Sequence, residues 1–181
     1  KAELPLDVWG QCIGTRQEDF DVISYLEQQI KQTVDREDFY THWREKVAFG
    51  LEKQQALPGV EDYLQRAKEL GLKVGLATSS STEWVSNHLQ RIGLWDHFNC
   101  VRTADDVKRV KPDPELYLAA AECLGVKPEE AIAFEDSVNG SEAAKRAGMY
   151  CVIVPNEVTK AMAFGDVDHR MASLAEMELE A

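Results

Sequence analysis

The sequence has 181 residues, enough for one hydrophobic core with a small inserted domain. Its 32 Asp and Glu outnumber 20 Lys and Arg, and the formal net charge of -12 disfavours nucleic acid and anionic membrane surfaces as partners. No apolar stretch approaches the length of a membrane span, and "KAELPLDVWG" lacks the charged-then-apolar order of a signal peptide, so a cytoplasmic location is expected.

Residues 1 to about 57 carry helical patterns. "EDFDVISYLEQQI" spaces Phe20, Ile23, Leu26 and Ile30 by three and four residues, and "DREDFYTHWREKVAFGL" does the same with Phe39, Trp43, Val47 and Leu51. Asp35 with Asp38 resembles a capping box. A small helical bundle is expected here, ended by "LPG" at 57–59.

From Gly59 the period changes to helix, glycine cap, short apolar strand. "VEDYLQRAKELG" leads to "LKVGLATSS", "PELYLAAAECLG" to "AIAFEDS", and "GSEAAKRAG" to "MYCVIVP"; "STEWVSNHLQRIG" leads to a further strand in "NCVRTADD". Wholly apolar strands between amphipathic helices imply an α/β fold with a parallel sheet covered on both faces. Cys12, Cys100, Cys123 and Cys151 have no Cys-x-x-Cys spacing and are expected to be reduced core residues.

Ligands of such sheets bind beyond the strand C-termini, where the polar residues gather. Thr78, Ser79 and Ser80 end one strand with hydroxyls at a helix start, a geometry suited to phosphate, although Ser81 or Thr82 can simply cap that helix. In "VKRVKPDPELY", Asp113 can be the N-cap and Pro114 the first helical residue. Lys111, restrained by Pro112, can direct an ammonium toward the strand ends or lie solvated on the surface. Glu135 and Asp136 close the run "AIAF", and two adjacent carboxylates at the end of a buried strand need a cation. With no His or Cys close by, Mg²⁺ is favoured over zinc, against the alternative that two acids merely complement a helix N-terminus.

In this order "LATSS", "KPDPELY" and "FEDSVNGSEAAKRAGM" resemble motifs two, three and four of the haloacid dehalogenase (HAD) superfamily, in its β-phosphoglucomutase-like phosphatase branch. The resemblance implies a Rossmann-like α/β core at 58–181 and a helical cap at 1–57. It implies that Thr78 and the Ser79 backbone hold a transferring phosphoryl group, that Lys111 neutralises it, and that Asp136 holds Mg²⁺ with Glu135 supporting or completing the shell. In the cap, "IGTR" resembles the substrate-facing segment, making Gly14, Thr15 and Arg16 specificity candidates; Arg16 can equally be a solvated helix-end residue. Asn139 and Gly140 allow tight entry into the last motif's helix, and Asn139 joins the substrate-binding set. The implied activity is a Mg²⁺-dependent phosphatase or phosphomutase acting on a small phosphorylated metabolite through an aspartyl-phosphate, in a monomer or weak homodimer.

The family's first motif, Asp-x-Asp-Gly after an apolar strand, does not occur in this sequence; Asp7 in "LPLDVWG" has neither the strand before it nor the second Asp after it. In the family that strand lies between those ending at Thr78 and Glu135. Unpaired backbone groups there cost roughly 1–3 kcal/mol each, against a total stability of about 5–15 kcal/mol. Three explanations are open: a segment that precedes this sequence in the protein, which is the favoured one, a strand from another chain, or direct pairing of the remaining strands. A catalytically inactive module that binds phosphate and Mg²⁺ is the alternative function.

Overall fold

The computed structural model describes residues 3–10, 13–14 and 21–180. Before Pro58 it contains helices α1 (Leu6–Trp9), α2 (Val22–Ile30) and α3 (Arg36–Leu51). The Asp21 carboxylate accepts from the Ile23 and Ser24 N–H groups and caps α2, and Asp35 accepts from Asp38 N to cap α3, half of the expected capping box. Ile23 is fully buried, but α3 buries no residue. Phe39, Val47 and Leu51 are half-covered and Trp43 is exposed, so the stripe read from its spacing is only partly sheathed.

Helix α4 (Val60–Glu69) opens the repeating part, followed by β1 (Gly75–Ala77), α5 (Thr82–Arg91), β2 (Cys100–Arg102), α6 (Glu115–Leu124), β3 (Ile132–Glu135), α7 (Val138–Arg146), β4 (Tyr150–Ile153) and β5 (His169–Arg170). Each predicted helix–strand unit is present. Gly125 shows how such a helix ends: its φ of 67° lets its N–H return to the Ala121 and Glu122 carbonyls of α6. The α6 start differs by one residue from expectation. Pro114 is the N-cap, and Asp113 instead accepts from Glu115 N at 3.1 Å, because the side chain reaches past the proline that has no N–H to offer.

Among the described residues all pairing is parallel, but in two separate sheets: β1 with β2 (Gly75 opposite Cys100), and β3–β4–β5 (Ile132 opposite Tyr150, Val152 opposite His169). Among the described residues β1 and β3 do not pair, which removes the direct-pairing alternative and leaves each with an unpaired edge. β5 was not anticipated: "HR" carries no apolar signal, and its pairing to β4 alone defines it as a strand.

Helix α7 covers one face of β3–β4, and α6, which lies against β1 and β2, contributes side chains to the same core. Tyr117 and Ala121 of α6 meet Ala143, Ala144 and Ala147, beside Ala133, Cys151 and Ile153, and the small alanines let the elements approach closely. The opposite face departs from the expectation of a sheet covered on both sides. Ile132, Phe134 and Tyr150 remain exposed there, with Tyr63 of α4 packed edge-on to Phe134 at 5.5 Å.

The cysteine reading also needs correction. Cys100 on β2 and Cys123 on α6 form a disulfide across 23 residues, a juxtaposition created by the helix packing on the strand that no Cys spacing announces. Cys12 lies outside the described residues. Cys151 is free and fully buried. Burial, assisted by the Glu135 charge, pushes its thiol up to about 11. At pH 8 roughly one such thiol in a thousand is ionised. Iodoacetamide is therefore expected to leave Cys151 unmodified in the native protein and to label it in denaturant; native labelling as fast as in denaturant would show that the β4 core is open.

Candidate functional site

The site grows from the end of β3, where the backbone delivers Glu135 inward and Asp136 to the rim. Glu135 is 6% exposed and its carboxylate is fully engaged. Oε1 accepts from Lys111 Nζ and from the Tyr117 hydroxyl; Oε2 accepts from Ser137 Oγ at 3.1 Å, with the Asp136 and Ser137 N–H groups at 3.3 and 3.4 Å. Lys111 is itself 7% exposed and lies 5.0 Å above the Tyr117 ring, so the solvated-lysine alternative is excluded.

The electrostatics follow from this enclosure. Burial alone would raise the Glu135 carboxyl, but the Lys111 charge and the donors from Lys111, Tyr117 and Ser137 outweigh it and hold the group below its ordinary range. Burial, then the Glu135 charge, push the Tyr117 phenol far up, so it stays a neutral donor. Asp136 goes the other way: burial and its negative neighbour raise its carboxyl, and a hydrogen bond from Asn156 only partly offsets this. Among the described residues no Lys, Arg or His pairs with Asp136.

The approach of α7 depends on a missing side chain. Ser137 caps the helix by accepting from Gly140 N at 3.0 Å, and at Gly140 any Cβ would overlap the Glu135 carboxylate. The helix entrance and the buried acid are therefore fitted to each other.

Residues 13–14 lie across the strand ends. The Gly14 carbonyl accepts from Ser79 Oγ at 2.8 Å, and the Ile13 carbonyl accepts from Asn139 Nδ2 at 2.8 Å. Gly14 has a φ of 79° and comes so close to Ser137 that a Cβ would collide with its hydroxyl. Consecutive Cα atoms are about 3.8 Å apart, so one dipeptide joins the loop after β1 to the start of α7. Gly14, Ser79, Asn139 and the Lys111–Glu135–Asp136 group thus share one rim. Thr78 ends β1, its N–H bonded to the Arg102 carbonyl at 2.9 Å and its hydroxyl accepting from Ser80 N at 3.2 Å. Ser81 caps α5 as expected. Thr15 and Arg16 lie outside the described residues.

A family model for haloacid dehalogenase-like hydrolases matches residues 3–154. The chain belongs to that family. The chain is 58% identical over 176 residues to the "Putative phosphatase YhcW" of Bacillus subtilis, covering 97% of this chain and 80% of that protein. It is 38% identical over 121 residues to the phosphorylated carbohydrates phosphatase of Thermotoga maritima, covering 67% of this chain and 56% of that protein. It also has the fold of a β-phosphoglucomutase from Clostridium difficile, with a TM-score of 0.73 at 24% identity over 97% of this chain and 79% of that one. The hydrolase spans less than two thirds of the Thermotoga phosphatase's length.

Two residues of the rim have roles that the motifs do not disclose: Tyr117, which closes "KPDPELY", and Asn156, which lies in none of them. Tyr117 reads as one more apolar position of α6, although a buried phenol requires a partner. Asn156 follows "CVIVP", three residues past the end of β4, and its only sequence hint is a polar residue just beyond the C-terminus of an apolar strand. Among the described residues no group of three or more His, Cys, Asp or Glu converges on one point. The donor set that remains is one rim carboxylate, Asp136, with hard oxygen and no cationic partner among the described residues. That fits Mg²⁺, which keeps several waters and takes one or two carboxylates with substrate phosphate oxygens. Glu135 has no oxygen left without a protein donor, so its part in such a site is to fix Lys111.

Proposed function

We propose that this chain carries the lysine, hydroxyl and metal-holding parts of a Mg²⁺-dependent phosphatase or phosphomutase acting on a small phosphorylated sugar through an aspartyl-phosphate. The observation that carries the reading is Lys111: an ammonium locked between Glu135 and the Tyr117 ring, beside a carboxylate, Asp136, with which no Lys, Arg or His among the described residues forms an ion pair. An ammonium has three donors. One is spent on Glu135, and the others are available for phosphoryl oxygens at a position that needs no reorganisation during the reaction. Ser79 and Thr78, at the end of β1, would hold the same group from the opposite side. Asp136 would hold Mg²⁺, which when bound neutralises charge on the phosphoryl oxygens. Gly14, Asn139 and, by resemblance, Thr15 and Arg16 would face the sugar, in a chain divided into a cap at 1–57 and a core at 58–181. The name of the Thermotoga phosphorylated-carbohydrate phosphatase supports the substrate class, and the net charge of -12 supports a protein that is monomeric or a weak homodimer, for which a cytoplasmic location is proposed.

The test is orthophosphate release by the complete protein from hexose and pentose phosphates, with and without Mg²⁺. Asp136→Asn is expected to lower Mg²⁺-dependent turnover by about 10²-fold or more, as removing one electrostatic stabiliser does; unchanged turnover would remove Asp136 from the site. A second reading is favoured by one observation, the lack of an Asp-x-Asp-Gly pattern in this sequence. On that reading the chain binds phosphate and Mg²⁺ without turnover, and binding with no phosphate release from any substrate would select it.

A further inference from the structure

After β4 the chain passes through Val154, whose N–H continues the ladder to the Glu135 carbonyl at 2.7 Å, and Pro155 to reach Asn156, opposite Asp136. The Asn156 side chain is fixed at both ends. Its Oδ1 accepts from the N–H groups of Val158 at 2.8 Å and Thr159 at 3.2 Å, and its Nδ2 donates to Asp136 Oδ2 at 2.7 Å. Its own N–H donates to the hydroxyl of Thr159, a residue with no exposed surface. Two backbone donors at one end of the amide identify that end as oxygen, so the amino group must face the carboxylate.

We infer that Asn156 is a positioning residue: a neutral arm, anchored by the 156–160 turn, that binds one oxygen of Asp136 and so aims the other at a divalent cation. The inference rests on the metal role proposed above for Asp136. Neutrality is the point of the residue type. A Lys or Arg at 156 would hold the carboxylate as firmly but cancel the charge an ion needs. An unheld Asp136 would rotate about χ1 and χ2, and the ion would have to order it on binding. Such outer partners of metal ligands typically contribute about 10–100-fold in metal affinity.

The rival account is that Asn156 only ties the turn together, and Asn156→Ser separates the two. A serine oxygen can still accept from Val158 and Thr159 N–H groups, preserving the turn, but it is too short to reach Asp136. Calorimetric titration of the protein with Mg²⁺ alone is expected to give a dissociation constant about 10-fold or more weaker for Asn156→Ser, with the melting temperature near that of the wild type. If Asp136→Asn abolishes Mg²⁺ binding while Asn156→Ser binds as tightly as the wild type, the metal reading stands and the positioning role is overturned. If the wild type takes up no Mg²⁺, the metal reading fails and the role falls with it. Should Asn156→Ser not fold, the Asn156 side-chain amide resonance of the wild-type protein decides. It is expected to shift on adding Mg²⁺ and to move to the position of a free amide in Asp136→Ala; a resonance indifferent to both would overturn the inference.

Discussion

Lys111→Met is expected to cost about 3–5 kcal/mol, the penalty for removing one partner of a buried ion pair. The variant leaves a carboxylate 6% exposed with no cation beside it. For a chain of this size that is a fall in Tm of about 10 °C. The loss has a pH signature whose sign is fixed by Glu135. In the wild type its carboxyl is held below the ordinary range, so its contribution is present above the unfolded carboxyl's pKa and fades as pH falls through the lowered folded value. Without Lys111, burial dominates and raises the same group. The variant therefore gains relative to the wild type as pH falls, because Glu135 takes up a proton and becomes neutral at a higher pH in the variant than in the wild type. Lys111→Met/Glu135→Gln should recover much of the loss, since a neutral amide replaces the stranded charge. Urea melts of the wild type, Lys111→Met, Glu135→Gln and the double variant at pH 5 and pH 8 check all of this, and an equal, pH-independent loss would mean that the pair does not carry the stability of this corner.

Gly140→Ala should be the other severe change, because two effects of opposite sign compete and their sizes decide the outcome. Alanine in a helix interior is favoured over glycine by about 1 kcal/mol. The added methyl, however, overlaps the Glu135 carboxylate, which cannot retreat without leaving Lys111, Tyr117 and Ser137. Overpacking costs typically about 1–3 kcal/mol, and breaking up the buried pair adds to it, so a net loss of about 2–4 kcal/mol is expected. Gly50 of α3 is the control. Nothing lies within 4 Å of a Cβ built there, and Gly50→Ala should stabilise by about 0.5–1 kcal/mol. Stabilisation by both substitutions would show that α7 and Glu135 are not in contact.

Much of the architecture was legible because it rests on local patterns. The alternation of amphipathic helix, glycine and apolar run located β1 to β4 and α4 to α7, and the rule that parallel sheets bind ligands at strand C-termini placed Ser79, Lys111, Glu135 and Asp136 on one rim. What escaped depends on packing between distant segments. Neither Tyr117, 18 residues from Glu135, nor Cys123, 23 residues from Cys100, advertises its partner in the sequence. β5 exists only through its pairing to β4, and the half-covered stripe of α3 shows that helical spacing reports which face could be buried, not what covers it. The division of labour between the two acids was likewise invisible. Adjacent in sequence, they alternate across the end of β3, so Glu135 turns inward to Lys111 and Asp136 outward to Asn156.

The most direct measurement is an anomalous difference map from crystals of the protein soaked with Mn²⁺ and tungstate. The account predicts a manganese peak on Asp136 and a tungstate between the Thr78–Ser79 end of β1 and Lys111, with Glu135 still bound to the lysine. Tungstate elsewhere, or manganese confined to other carboxylates with Asp136 bare, would contradict it.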